Sequence, residues 1–149
     1  MNTEAFLQQF YRLMNLYQAA QKQPRKYREN LTLYAAQSHL MEVIGAQPGI
    51  SGKEAAEQLA ISKGAVSQTV KKLAEKGLIL RMPSVDGRES RLVLSPEGEK
   101  VYASHRQLHQ PLMDELHRIS AQIPPQTENV LQQLFTTMEG HLLSIIKEE

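Results

Sequence analysis

The chain has no cysteine. Disulfides, thiolate metal centres and a cysteine-based oxidation switch are therefore excluded. No apolar run is long enough to span a bilayer and no signal-peptide pattern opens the chain, so a cytoplasmic protein without a membrane partner is expected. There is no internal repeat and no low-complexity stretch. Serine, histidine and aspartate all occur, yet no spacing sets a nucleophile beside a base. A glycine-rich phosphate loop is absent, and the His105–His109 pair lacks the intervening glutamate of a hydrolytic zinc helix. Catalysis is not expected. The 149 residues, 41% hydrophobic and 22% charged, form one ordinary globular domain, 1–149, with enough chain for a real core.

What is there is concentrated between Ile50 and Gly98. Ala55, Ala56, Leu59 and Ala60 make one small, apolar helical face, and Ser51 with Glu54 reads as a capping box at its start. Ile61-Ser62 is the turn that follows. Ser62 is suited to cap a second helix running to Lys76, with Gly77 as its stop. Val66, Val70, Leu73 and Gly77 form the inward stripe of that helix. Its outward arc carries Gly64, Ser67, Gln68, Lys71 and Glu75, flanked by Lys63 and Lys72. Small residues permit close approach to base edges, an amide reads adenine, and lysine meets guanine or phosphate. Leu78-Ile79-Leu80 and Arg91-Leu92-Val93-Leu94 then read as two strands around a polar tip. Asp86-Gly87 supplies the turn, and Arg88 is placed to reach a groove or a phosphate, held extended by Asp86. From Ser62 to Arg91 there are seven Lys/Arg against three Asp/Glu, a balance of +4 in a chain of net +1. Positive charge is gathered where nucleic acid would lie, as counterion release requires. The pattern is that of a winged helix-turn-helix in a mainly α (α+β) protein. The candidate contacts to double-stranded DNA are Ser62, Lys63, Gly64, Ser67, Gln68, Lys71, Lys72, Asp86, Arg88 and Arg91. The alternative is a winged helix that binds another protein and reads no DNA sequence.

Several residues carry a resemblance. These are Leu31-Thr32 with Gln37 and Leu40, the helix pair, Leu73 with Lys76-Gly77-Leu78-Ile79, Arg81, Asp86-Gly87-Arg88 and Leu94-Ser95-Pro96-Glu97-Gly98. With them the chain resembles the MarR family of bacterial transcriptional regulators over nearly its whole length. The resemblance implies a homodimeric repressor on a pseudopalindromic operator, answering to a small-molecule or metal effector. Residues 31–99 would be the winged-helix DNA-binding part, and 1–30 and 100–149 the dimerisation helices.

The flanks agree with a dimer. Phe6, Phe10, Leu13, Met14 and Tyr17 share one helical stripe before Gln23-Pro24. Val130, Leu131, Leu134, Phe135, Met138, Leu142, Ile145 and Ile146 recur every three or four residues after Pro124-Pro125. A small winged helix cannot bury both stripes, and a two-fold reader matches a palindrome. Arg25-Lys26-Tyr27-Arg28 reads as a basic, solvated loop between helices. His105 and His109, at i and i+4 inside an apolar arc, can share one metal ion. The resemblance adds His39, since zinc-responsive members carry a histidine on the second helix and an HxxxH pair after the wing. Those members also use a carboxylate at the end of the first helix, where this chain has Gln21-Lys22-Gln23. Their second site needs ligands that this chain does not offer at Tyr27, Ser38 or Ser104. Members that respond to fatty-acyl carriers have histidines in much the same places. The trio is therefore open between a zinc site, a polar cluster of structural histidines and the wall of an organic-ligand pocket.

Overall fold

The structure is a computed structural model and describes residues 2–84, 87 and 89–147. The elements run α1 (Thr3–Gln21), β1 (Arg25–Arg28), β2 (Leu31–Leu33), α2 (Ala35–Ala46), β3 (Ile50–Ser51), α3 (Gly52–Leu59), α4 (Lys63–Glu75), β4 (Ile79–Pro83), β5 (Ser90–Leu94), α5 (Pro96–Ser120) and α6 (Pro125–Lys147). The mainly α class and the winged-helix order follow the sequence reading. Two compact units emerge, residues 1–108 and 109–149.

The first unit holds the core. Leu33, Leu40, Ile44, Ala55, Val66, Leu73, Leu78, Leu92 and Val101 are all buried in one cluster. The helices begin and end as their sequences dictate. Ser51 accepts the Glu54 N–H at 3.2 Å while the Glu54 carboxylate accepts the Ser51 N–H at 2.8 Å, a reciprocal capping box. Ala60, placed on the apolar face by periodicity, is instead the exposed C-cap of α3 at φ 53°, the left-handed conformation that ends the helix. Ser62 caps α4 by accepting the Ala65 N–H at 3.1 Å. Gly77 follows that helix at φ +69°, where a side chain would be strained, and is exposed rather than part of the inward stripe.

Two antiparallel sheets complete this unit. One has strand order β3-β5-β4, with Ile50 opposite Leu92 and Ile79 opposite Leu94. The other pairs β1 with β2, Arg25 opposite Leu33 and Lys26 opposite Thr32. The basic segment expected as a solvated loop is thus strand β1. The short spacer Glu29-Asn30 lets Leu33 reach the core, and backbone pairing satisfies polar groups that a loop would leave to water.

A tight joint ties the wing to α5. The Ser95 hydroxyl donates to the Gly77 carbonyl at 2.6 Å and accepts the Gly98 N–H at 3.0 Å. The Ser95 N–H donates to the Leu78 carbonyl at 3.0 Å. A Cβ on Gly98 would stand 2.0 Å from that same carbonyl oxygen. In the second unit no described residue is buried. Along α6, Val130, Phe135, Leu142, Ile145 and Ile146 are exposed. Among the described residues no helix is long and apolar enough to cross a membrane.

Gly98→Ala is expected to lower stability by about 3 kcal/mol, because a backbone carbonyl cannot yield as a flexible side chain does. Chemical unfolding checks this; a change under about 0.5 kcal/mol, the scatter of ordinary surface substitutions, would contradict the packing described.

Candidate nucleic-acid interface

Helix α4 is amphipathic in a way that separates fold from contact. Val66, Val70 and Leu73 are buried, which fixes the rotation of the helix in the core. The same rotation leaves Lys63, Gly64, Ser67, Gln68, Lys71 and Lys72 exposed. Lys71 lies 4.0 Å from Glu75 one turn on. That exposed pair contributes little to stability and leaves the ammonium accessible. Ser62 is committed to capping, so its side chain aims at the helix backbone.

Between α4, the start of α3 and the wing lies an open cleft of about 260 Å³. Lys53, Lys63, Ser67, Arg81, Glu89 and Ser90 line it. Three cations against one carboxylate make it suited to an anion. Lys53 and Arg81 were not singled out from the sequence as contacts. Their place here depends on the approach of α3 to the wing, for which local spacing carries no signal. Asp86 and Arg88 lie outside the described residues. Arg91 does not line the cleft; its partly exposed guanidinium donates to the Gly49 carbonyl at 3.4 Å and to the Glu54 carboxylate at 3.1 Å. The Glu54 carboxyl is held below its ordinary pKa, first by the Ser51 backbone N–H, then by the Ser51 hydroxyl, with Arg91 adding to the effect against some desolvation.

The three histidines have different surroundings. His105 is buried at 7% exposure. Its Nδ1 lies 2.5 Å from the Tyr27 hydroxyl, and its Nε2 lies 3.2 Å from a Glu42 carboxylate oxygen. The Tyr27 hydroxyl is also 3.3 Å from Ser38 Oγ. With Glu42 as acceptor, Nε2 carries a proton, and Nδ1 shares a hydrogen bond with the Tyr27 hydroxyl. Both ring nitrogens are thus engaged by protein, joining α5 to α2 and to the β1–β2 hairpin. His39 stacks on Tyr17 with centroids 6.3 Å apart, and its Nε2 lies 3.5 Å from the Gln21 amide nitrogen. His109 opens the second unit and is half-buried. Among the described residues no three His, Asp or Glu side chains gather to hold a metal ion. The residues as arranged do not fit zinc: a neutral amide stands beside His39, and His105 has no nitrogen to spare. Nor does the space beside His105 hold a ligand-sized cavity, since Leu33, Met41, Val101 and Tyr102 close it. Tyr27 and Glu42, the partners of His105, were missed in the sequence because they come from other elements.

Comparison with known proteins places the fold. A family model described as "MarR family" matches residues 32–89. No curated protein matches the chain in sequence. Among solved structures, the chain is similar to Streptococcus pneumoniae FabT in complex with DNA, at 17% identity and a TM-score of 0.64, covering 96% of each chain. It is similar to Lactococcus lactis ZitR, a zinc-responsive MarR family member, at 20% identity and a TM-score of 0.67, covering 95% of this chain and 99% of that one. A third likeness is Streptococcus pyogenes adhesin competence repressor, at 16% identity and a TM-score of 0.70, covering 95% and 98%.

Tyr27→Phe removes the hydroxyl that His105 and Ser38 share. It is expected to cost about 1–2 kcal/mol in stability with the secondary structure unchanged. Urea unfolding followed by circular dichroism is the measurement; a neutral substitution would show that the hydroxyl holds nothing together.

Proposed function

We propose, from the match of residues 32–89 to a family model described as "MarR family", that this protein is a sequence-specific regulator of transcription, binding double-stranded DNA as a homodimer. The observation that carries the reading is the division of α4. Three buried residues lock it in the core, and the six exposed ones comprise two small side chains, one amide and three lysines. A helix so held presents an invariant surface to a major groove. Lys63, Gly64, Ser67, Gln68, Lys71 and Lys72 make the contacts, with Gln68 and Lys71 at mid-helix against base edges. Arg88 reaches the adjoining backbone or minor groove. FabT and ZitR have both been solved in complexes with DNA, which supports the same role here. The role is non-catalytic: nothing need react for a repressor to occlude a promoter.

Exposed apolar side chains support the homodimer. Leu7, Leu13 and Leu16 on α1 are exposed, as are Val130, Phe135 and Leu142 on α6. So much apolar surface is unusual on a monomer and is covered by a second copy carrying the same faces. Two reading heads related by a two-fold axis then fit two half-sites.

Selection of bound duplexes from a random pool, then titration across salt concentrations, tests the reading. A protein-binding winged helix would enrich no sequence. On the selected site, Gln68→Ala is expected to cost about 1–3 kcal/mol and to relax preference at one base position per half-site. Equal weakening on random DNA would mean that Gln68 meets only backbone. Arg88→Ala is expected to lower the salt slope by roughly one unit per half-site while the oligomeric state by light scattering stays as in wild type.

A further inference from the structure

At the root of the wing, one carboxylate oxygen serves two elements. Glu54 Oε2 accepts the Ser51 N–H at 2.8 Å, closing the cap of α3, and accepts from Arg91 of β5 at 3.1 Å. The same Arg91 nitrogen reaches the Gly49 carbonyl at 3.4 Å, before β3. Little else in the backbone holds the wing there. Strand β3 is two residues long and pairs only through Ile50–Leu92 and Ser51–Arg91, with a Gly49 N–H to Leu92 carbonyl bond of 2.8 Å beside it. Helix α3 in turn packs directly against α4. A rigid route therefore runs from the wing through Arg91 and Glu54 to α3 and on to α4.

We propose that Glu54 and Arg91 form a positioning clamp that sets the pitch of the wing relative to α4, so that two side chains reading no base contribute to DNA affinity. The proposal rests on the DNA-binding reading above. A tilt at the root is amplified with distance: about 10° moves a point four strand residues, or about 13 Å, away by about 2 Å. A displacement of that size breaks a hydrogen bond to phosphate. The clamp also explains why Arg91, in the basic stretch, faces α3 rather than the cleft.

The sign of one substitution separates positioning from charge. Glu54→Gln keeps a residue that can close the capping box. It removes a negative charge from a unit facing polyanionic DNA, and electrostatics alone would then tighten binding. The clamp demands the opposite: binding to the selected duplex about three- to fivefold weaker at moderate salt, the scale of one partly exposed ion pair. Two further results are expected. The salt slope falls toward that of Arg88→Ala, and Glu54→Gln adds no loss in the Arg88→Ala background, because both act through the wing tip. Arg91→Gln, which leaves the capping box untouched, is the second variant; Glu54→Gln added to it should cost nothing more. Thermal unfolding midpoints confirm that each variant is folded. Binding equal to or tighter than wild type, or losses that add across Glu54→Gln and Arg88→Ala, overturn the clamp. A wild-type protein that binds no duplex overturns the DNA-binding reading itself, a result that the wild-type titration alone reveals.

Discussion

Gly98 sits where only a hydrogen fits, under the carbonyl of Leu78. Around this contact the end of α4, the start of β4 and the start of α5 are bound into one corner. Gly77 turns the chain in the left-handed conformation, Leu78 enters the core, and the Ser95 hydroxyl spans from the Gly77 carbonyl to the Gly98 N–H. Both the direction in which α5 leaves and the place where the wing begins depend on that corner. Its serine satisfies one helix donor and one turn carbonyl that would otherwise be lost to desolvation. The rotation of α4 in the core, and with it the identity of the exposed face, is secured at the same end.

Defined contacts surround the exposed face of α4, while among the described residues that face itself makes few. The lysines of α4 are exposed, and among the described residues Lys71 makes a loose i,i+4 pair with Glu75. Cationic side chains left this accessible are available, in the proposed complex, to neutralise phosphates and release counterions condensed on the duplex. The carboxylates of the first unit are put to internal use instead. Glu54 holds Arg91; Glu97 pairs with Arg28 of the hairpin and with Lys100, and its pKa is lowered chiefly by the Lys100 hydrogen bond and then by Arg28. These two acidic groups thereby organise the scaffold, while the cleft between α4 and the wing keeps an excess of positive charge, with Lys53 loosely paired to Glu57 at 4.0 Å.

Much of this was legible along the chain. Ser51 with Glu54, Ser62 and Gly77 are local signals, each acting within a few residues, and each does in the structure what its chemistry implies. The wing strands were read within three residues of their bounds because alternation and a turn dipeptide are local as well. Ala60 was misjudged because periodicity says nothing of where a helix stops when no glycine marks it. The strand at Arg25–Arg28 was missed because its partner strand is three residues long and its pattern includes an irregularity between Lys26 and Arg28. Periodicity has little to act on in four residues.

The histidines mark the boundary between the two kinds of information. Spacing alone put His105 on an inward arc, and it is buried. Whether an inward imidazole meets a metal, a ligand or protein is decided by what other elements bring to it, here Tyr27 from a hairpin 78 residues away and Glu42 from α2. Arg91 is the parallel case. Composition placed it in a basic stretch; a two-residue strand and the first turn of α3 gave it a carboxylate to hold. The sequence by itself determined which segments are helix, turn and wing, and where positive charge collects, because those properties arise from neighbours a few residues apart. Only the tertiary structure decided which polar side chains are spent on one another, because such pairs are made between elements and leave no periodic trace along the chain.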